Sequence, residues 1–292
     1  MRIESLTPDL GFLRVGFVNV FFYGDPAGGD RAWVLIDTGL PGSAGLIARA
    51  ARARFGEHAR PGAIILTHGH FDHRGAARRL AQRWAAPVYA HERELPFLTG
   101  QRAYPRPDPA TGGAMAALSP LYPRGPIDLG DRVRPLPRDG TVPGMPGWNW
   151  VPTPGHTRGH VSLFRSADRA LIAGDAFVTT RQESLLAAVT YPPEVHGPPA
   201  YFTPDWPDAW ASVERLAELE PELAGTGHGP PIRGAMVRRE LHALADQFPE
   251  RAMPARGYSV GRPPVIEPLP AVLLGAGTAV VAGVLLKRAT NR

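Results

Sequence analysis

The chain has 292 residues, with 33 Gly, 33 Pro and no Cys. A hydrophobic share of 43% excludes a wholly disordered chain, and the missing cysteines exclude disulfides, thiolate nucleophiles, Cys-ligated zinc and iron–sulfur clusters. The net charge is +5, but every basic residue except Lys287 is Arg and none forms a run like a nucleic-acid arm, so no nucleic-acid partner is expected.

Residues 15–23 and 32–36, rich in Val, Phe and Ile, read as strands. The Ala- and Arg-rich residues 43–55 read as a helix. Residues 63–66 form a short, continuously apolar run, as expected of a strand buried on both faces. A helix over 72–84 and a strand over 87–90 follow. From 96 to 126 the pattern dissolves into Pro, Gly and Ala, a long loop of the kind that lines enzyme sites. Strands resume at 148–152, 160–165 and 170–173, and 182–202 is a second irregular segment. Residues 206–219 read as an amphipathic helix with Trp210, Val213 and Leu216 inward. A short strand near Leu223 leads to Gly227-His228-Gly229, and 233–247 makes a last globular helix.

The N-terminus carries Glu4 and Asp9 where a signal peptide needs an apolar core, so no secretory signal is read. Residues 257–268 read as a Pro-rich linker. Residues 269–286 carry no charge and would span about 27 Å as a helix, close to the hydrocarbon thickness of a bilayer. Lys287 and Arg288 follow at once. This predicts a transmembrane tail helix contacting membrane lipid, with the catalytic domain, residues 1–256, on the cytoplasmic side; without the anchor the protein would be cytoplasmic.

The chemistry concentrates in Thr67-His68-Gly69-His70-Phe71-Asp72-His73, directly after a buried strand. A strand end puts side chains i and i+2 on one side, so His68 and His70 converge. The following helical turn brings Asp72 and His73 back to the same point, and Gly69 leaves room for a metal. Four more ligand-type side chains sit where a strand gives way to a loop: Asp37, His156, Asp175 and His228. Imidazole and carboxylate without thiolate suit zinc, iron or manganese.

In this order the motifs resemble the metallo-β-lactamase superfamily, in the hydrolase branch that includes glyoxalase II-like enzymes, over about residues 10–250. The resemblance implies an α/β four-layer αββα sandwich with the metal site at one edge of two sheets. It implies two zinc ions, or iron or manganese in their place. His68, His70 and His156 would hold the first, Asp72, His73 and His228 the second, and Asp175 would bridge both. Asp37 would orient the ligand loop, and His160 would support it. The implied reaction is hydrolysis of an ester, thioester, lactone or similar small-molecule substrate by a metal-bridged hydroxide that Asp72 orients. In this family the stretch after Asp175 contributes to the substrate wall, which makes Tyr191, His196 and Tyr201 candidates, with Arg181 a candidate for an acidic substrate group. Two other classes stay open: a persulfide dioxygenase-like enzyme with one iron, and a non-catalytic membrane-attached scaffold, against which the complete ligand set argues. A homodimer is also open.

Overall fold

The computed structural model of the protein describes residues 3–190 and 192–260. Its first sheet runs in sequence order through β1 (Glu4–Ser5), β2 (Leu10–Val15), β3 (Val18–Tyr23), β4 (Val34–Ile36), β5 (Ala63–Ile65), β6 (Val88–Ala90) and β7 (Val133–Pro135). Pairing is antiparallel up to β4 and parallel from β4 to β7. The second sheet comprises β8 (Trp148–Pro152), β9 (Val161–Arg165), β10 (Ala170–Gly174), β11 (Leu223–Thr226) and β12 (Ile232–Arg233), ordered β12-β11-β10-β9-β8. Here only β10 and β11 are parallel.

Side-chain alternation sorts the core into three layers. Along β3, Val18, Val20 and Phe22 face outward beneath α1 (Ala44–Phe55) and α3 (Ala77–Trp84). Phe21 and Tyr23 face inward and meet Trp148, Leu163 and Ile172 of the other sheet. On the far side, Leu171 and Ala173 lie beneath α7 (Trp206–Glu218) and α8 (Ala235–Asp246). Two facing sheets with helices outside each make the four layers, and strands buried on both faces carry the continuous apolar runs seen in the sequence. The short helices α2 (Phe71–Arg74), α4 (Leu95–Leu98), α5 (Ala114–Leu118), α6 (Leu185–Thr190) and α9 (Phe248–Arg251) fill the connections.

Several expectations are corrected. The run 15–23 is not one strand. Gly16 turns the chain at φ +69°, and Val15 ends β2, which pairs with β3 from Leu10↔Tyr23 to Val15↔Val18. The helix expected over 72–84 breaks into α2 and α3. Gly75 lies between them and donates its N–H to Gly39 O at 2.9 Å, an approach that a Cβ would block. The stretch 257–260, read as linker, packs on the domain: Trp206 Nε1 donates to Ser259 Oγ at 3.2 Å and Tyr258 Oη to Arg106 O at 2.5 Å.

The membrane reading is also corrected. Among the described residues no helix is long and apolar enough to cross a membrane. The longest, α7, has 13 residues, about 20 Å against the roughly 30 Å of a hydrocarbon core. The stretch 269–286, on which that reading rested, lies outside the described residues.

Candidate metal centre

The strand ends deliver the site. β5 runs into Thr67 and His68, and α2 begins after His70, which stands in extended conformation before the first helical turn. That turn carries Asp72 and His73 to the same edge. From the second sheet come His156 after β8, Asp175 after β10 and His228 after β11. All of these side chains are buried.

Three groups of donor atoms result: His68, His70 and His156; Asp72, His73 and His228; and His68, His73 and Asp175. In the first, His70 Nδ1 lies 3.1 Å from His68 Nε2 and 2.9 Å from His156 Nε2. In the second, His228 Nε2 is 3.5 Å from Asp72 Oδ2. Asp175 Oδ2 stands between them, 3.1 Å from His228 Nε2, 3.4 Å from His73 Nε2 and 3.5 Å from His156 Nε2.

Hydrogen bonds on the far side of each ring fix which nitrogen faces inward. Thr67 Oγ1 donates to Asp37 Oδ2, so His68 Nδ1, 3.1 Å away, must donate to Thr67, leaving Nε2 with a bare lone pair. Thr203 Oγ1 donates to Pro199 O, so His156 Nδ1 donates to Thr203 at 3.1 Å. His73 Nδ1 donates to Asp37 Oδ2 at 2.8 Å, and His228 Nδ1 to Phe17 O at 2.7 Å. The first group therefore sets three ring nitrogens against one another with at most one proton, that of His70, to share among them. His73 Nε2 and Asp175 Oδ1 have no hydrogen-bond partner although both are buried. An additional side chain does not fit, because a Cβ on Gly227 would collide with Asp175 and His73. Converging lone pairs, an orphaned carboxylate oxygen and an all-nitrogen-and-oxygen donor set fit divalent cations.

The electrostatics divide the same residues. Burial, followed by neighbouring imidazoles, holds His68 and His70 well below the usual histidine range. Burial also takes His156 down to about 4. For His73, burial would lower the pKa, but Asp175 and Asp37 outweigh it and raise it well above that range. His228 is raised in the same way, Asp175 overcoming burial. For Asp175, burial would raise the pKa, yet His228 and His73 hold it well below the usual carboxylate value. Burial raises Asp72, with His73 and His228 offsetting part of the effect.

Asp37 does not face the clusters. Its backbone takes φ +57°, uncommon for a residue other than Gly. Both carboxylate oxygens are used, Oδ1 by Thr67 N and Oδ2 by Thr67 Oγ1 and His73 Nδ1. His160 stands behind the centre. Its Nε2 accepts from Asp175 N at 2.9 Å, and its Nδ1 donates to Thr153 Oγ1 at 2.8 Å. Burial and His156 lower its pKa to about 3.

Because that pKa lies below the unfolded value of about 6.5, the unfolded chain gains a proton below pH 6.5 that folded His160 does not. The parent therefore loses about 1.4 kcal/mol per pH unit there through this ring. His160→Gln keeps a donor and an acceptor but cannot titrate. In urea unfolding of metal-free protein, the stability gap between parent and variant is expected to shrink by about 2 kcal/mol from pH 7.5 to pH 5.0. A gap independent of pH would contradict a neutral His160.

Gly69 differs from its expected role. A Cβ there would not crowd a metal; it would strike the Tyr104 hydroxyl. Behind that glycine lies Glu94, a residue absent from the sequence reading. Its side chain is fully buried. Oε2 accepts from Gly69 N at 2.9 Å and from Tyr104 Oη, and Oε1 from Thr157 Oγ1 at 2.8 Å and Gly159 N at 3.0 Å. One carboxylate thus ties the His68–His70 loop to the His156 loop.

Of the residues expected in the substrate wall, Tyr201 lines a cleft of about 390 Å³ that opens on His70 and His156. Arg181 is exposed and pairs with Glu194 at 3.0 Å, and His196 lies in a two-strand bridge with Val178; neither lines this cleft. Tyr191 lies outside the described residues.

Two facing sheets, helices outside, and His and Asp clusters gathered at one edge define the metallo-β-lactamase fold. The profile of the Metallo-beta-lactamase superfamily matches residues 13–228, and the chain belongs to that superfamily. It is 49% identical over 258 residues to the probable metallo-hydrolase YflN of Bacillus subtilis (strain 168), covering 85% of this chain and 97% of the relative. The probable metallo-hydrolase YybB of the same organism is 30% identical over 204 residues, 70% of this chain and 78% of the relative. Among solved structures, an archaeal metallo-beta-lactamase superfamily protein from Sulfolobus tokodaii shares the fold, with a TM-score of 0.54 at 20% identity, over 83% of this chain and 86% of that one.

Proposed function

We propose that the protein is a hydrolase of the glyoxalase II-like branch that acts with two divalent metal ions on a small ester, thioester or lactone. The observation that carries this reading is the Asp175 carboxylate, which stands between a three-imidazole group and an Asp72–His73–His228 group. His68, His70 and His156 would hold one ion, Asp72, His73 and His228 the other, and Asp175 both. Bound there, the ions supply Lewis acidity, polarising a carbonyl oxygen and making water nucleophilic near neutral pH.

The chain's own residues do the rest. Asp72 offers a carboxylate whose pKa burial has raised, which suits it to orient water and hold its proton. Tyr201 keeps its phenolic proton, since burial and the nearby Tyr122 and Asp72 raise its pKa well above the usual tyrosine value. It can therefore donate to a substrate oxygen. The chain has no cysteine thiolate to attack the substrate, and this chemistry asks for no protein nucleophile.

Metal analysis of the purified protein, with an ester, thioester and lactone panel, tests the reading. Two metal equivalents with turnover on one of these classes are expected. A single iron with oxygen uptake on a persulfide would replace it by a dioxygenase reading. Asp72→Asn keeps the shape and removes the charge, so kcat is expected to fall at least about 10²-fold in a folded protein. A near-normal kcat would remove Asp72 from its assigned role.

A further inference from the structure

The cleft that opens on His70 and His156 has mostly apolar walls, formed by Phe97, Tyr104, Phe202 and Tyr258. Around these walls stand three arginines, Arg102, Arg106 and Arg158, each exposed. They come from two segments that Glu94 contacts, since Arg102 and Arg106 bracket Tyr104 and Arg158 follows Thr157. Elsewhere on the surface some guanidinium groups are paired, as in Arg60–Asp30, Arg165–Asp9 and Arg181–Glu194. No ion pair or side-chain hydrogen bond to another described residue engages these three. The one carboxylate among the lining residues, Asp108, accepts from Ala110 N at 3.0 Å and Ser259 N at 3.4 Å.

We infer that this cleft selects substrates carrying an anionic group, in the simplest case a carboxylate, at the end of an apolar body distant from the scissile carbonyl. The inference rests on the hydrolase reading and names the substrate class of the same site. Its physical basis is direct. Three forked cations line a cleft that holds only one acid, and that acid is already engaged by backbone amides. Guanidinium forks match a planar carboxylate. The apolar walls take the body of the substrate, and the scissile group reaches the imidazoles at the base. A volume of about 390 Å³ holds a small molecule and not a polymer. The rim is solvated, so the attraction is screened by salt over about 10 Å at 0.1 M.

The test compares mono-4-nitrophenyl suberate, which carries a free carboxylate, with its neutral methyl ester on the metal-loaded enzyme. The anionic ester is expected to show a kcat/KM at least tenfold higher. That preference should narrow as salt rises from 0.05 to 0.5 M, and fall to within twofold in the Arg102→Gln/Arg106→Gln/Arg158→Gln variant. Removing equal charge from the exposed face of α3, Arg78→Gln/Arg79→Gln/Arg83→Gln, should leave the preference intact. A second arm measures calorimetric binding of monomethyl and dimethyl suberate to metal-free protein. The monoanion should bind at least tenfold more tightly, again only with the three cleft arginines present.

Equal turnover of the two esters, or a preference that survives the cleft variant, overturns the anionic selectivity alone. If neither ester is hydrolysed, the ester form of the hydrolase reading fails; the binding arm then decides the selectivity, and equal binding or none overturns it.

Discussion

His70→Ala is expected to remove metal and turnover together. His70 Nδ1 is the middle atom of the three-imidazole group, 3.1 Å from His68 Nε2 and 2.9 Å from His156 Nε2. Alanine leaves two imidazoles where three converged. A four-ligand zinc site is worth about 10–16 kcal/mol, so one ligand carries roughly a quarter, or 2.5–4 kcal/mol. At 1.4 kcal/mol per decade that is about two to three orders of magnitude in affinity. Metal content after dialysis and kcat/KM on the best ester of the panel check it. The near-ultraviolet dichroism of metal-free parent and variant should agree, which separates loss of a ligand from loss of the fold. A variant with full metal content and normal turnover would exclude His70 from the centre.

Glu94→Gln is expected to be nearly as damaging as Glu94→Ala. Each oxygen of this buried carboxylate receives one backbone amide and one hydroxyl. An amide side chain keeps only one acceptor oxygen. Whichever way it is turned, its NH₂ meets an N–H that cannot rotate away. Alanine leaves the amides of Gly69 and Gly159 unsatisfied, at about 1–3 kcal/mol each, and opens a cavity as well. A loss of about 3–5 kcal/mol is expected for alanine and about 2–4 kcal/mol for glutamine, against a total stability of about 5–15 kcal/mol. Chemical denaturation of metal-free protein measures both. Because the same carboxylate joins two ligand loops, metal affinity of any folded Glu94→Gln should also fall, by about 10–100-fold, the usual effect of losing a residue that orients ligands. A glutamine variant as stable as the parent would show that Glu94 does not act as a four-acceptor clasp.

The two residues differ in how visible they are in sequence. His70 belongs to a run in which strand alternation and one helical turn suffice to converge the side chains, so local geometry alone exposes it. Glu94 lies among His91, Glu92 and Arg93, where one acid looks like another. Its partners are 10 to 65 positions away, and only a carboxylate flanked by Leu95, Phe97 and Leu98 hints at burial. The same reason hides Arg102, Arg106 and Arg158, since a surface rich in arginine looks uniform until folding shows which of them line one cleft. Arg181 was plausible from its position after Asp175 and is taken by Glu194, a tertiary fact. The β2–β3 hairpin was missed because strong apolar residues flank Gly16 on both sides and the turn occupies only two positions. β8 was read with its observed ends because the Gly before Trp148 and the loop after Pro152 mark its limits in sequence.

The hydrogen bond from His228 to Phe17 O has a consequence for how the protein is made. Asn19, fully buried beside that turn, donates its side chain to Thr226 O at 2.9 Å and Gly229 O at 2.7 Å, and its backbone N–H to Gly227 O at 2.8 Å. Residues near the start of the chain thus wait for residues more than 200 positions later. Closing so long a loop is slow and repaid only on docking. During synthesis on the ribosome, a nascent chain that ends before Thr226 already holds His68, His70, His156 and Asp175, yet the hairpin still exposes unpaired polar groups and His228 is missing. Assembly of the Asp72–His73–His228 group therefore waits until the chain has been made at least as far as Gly229.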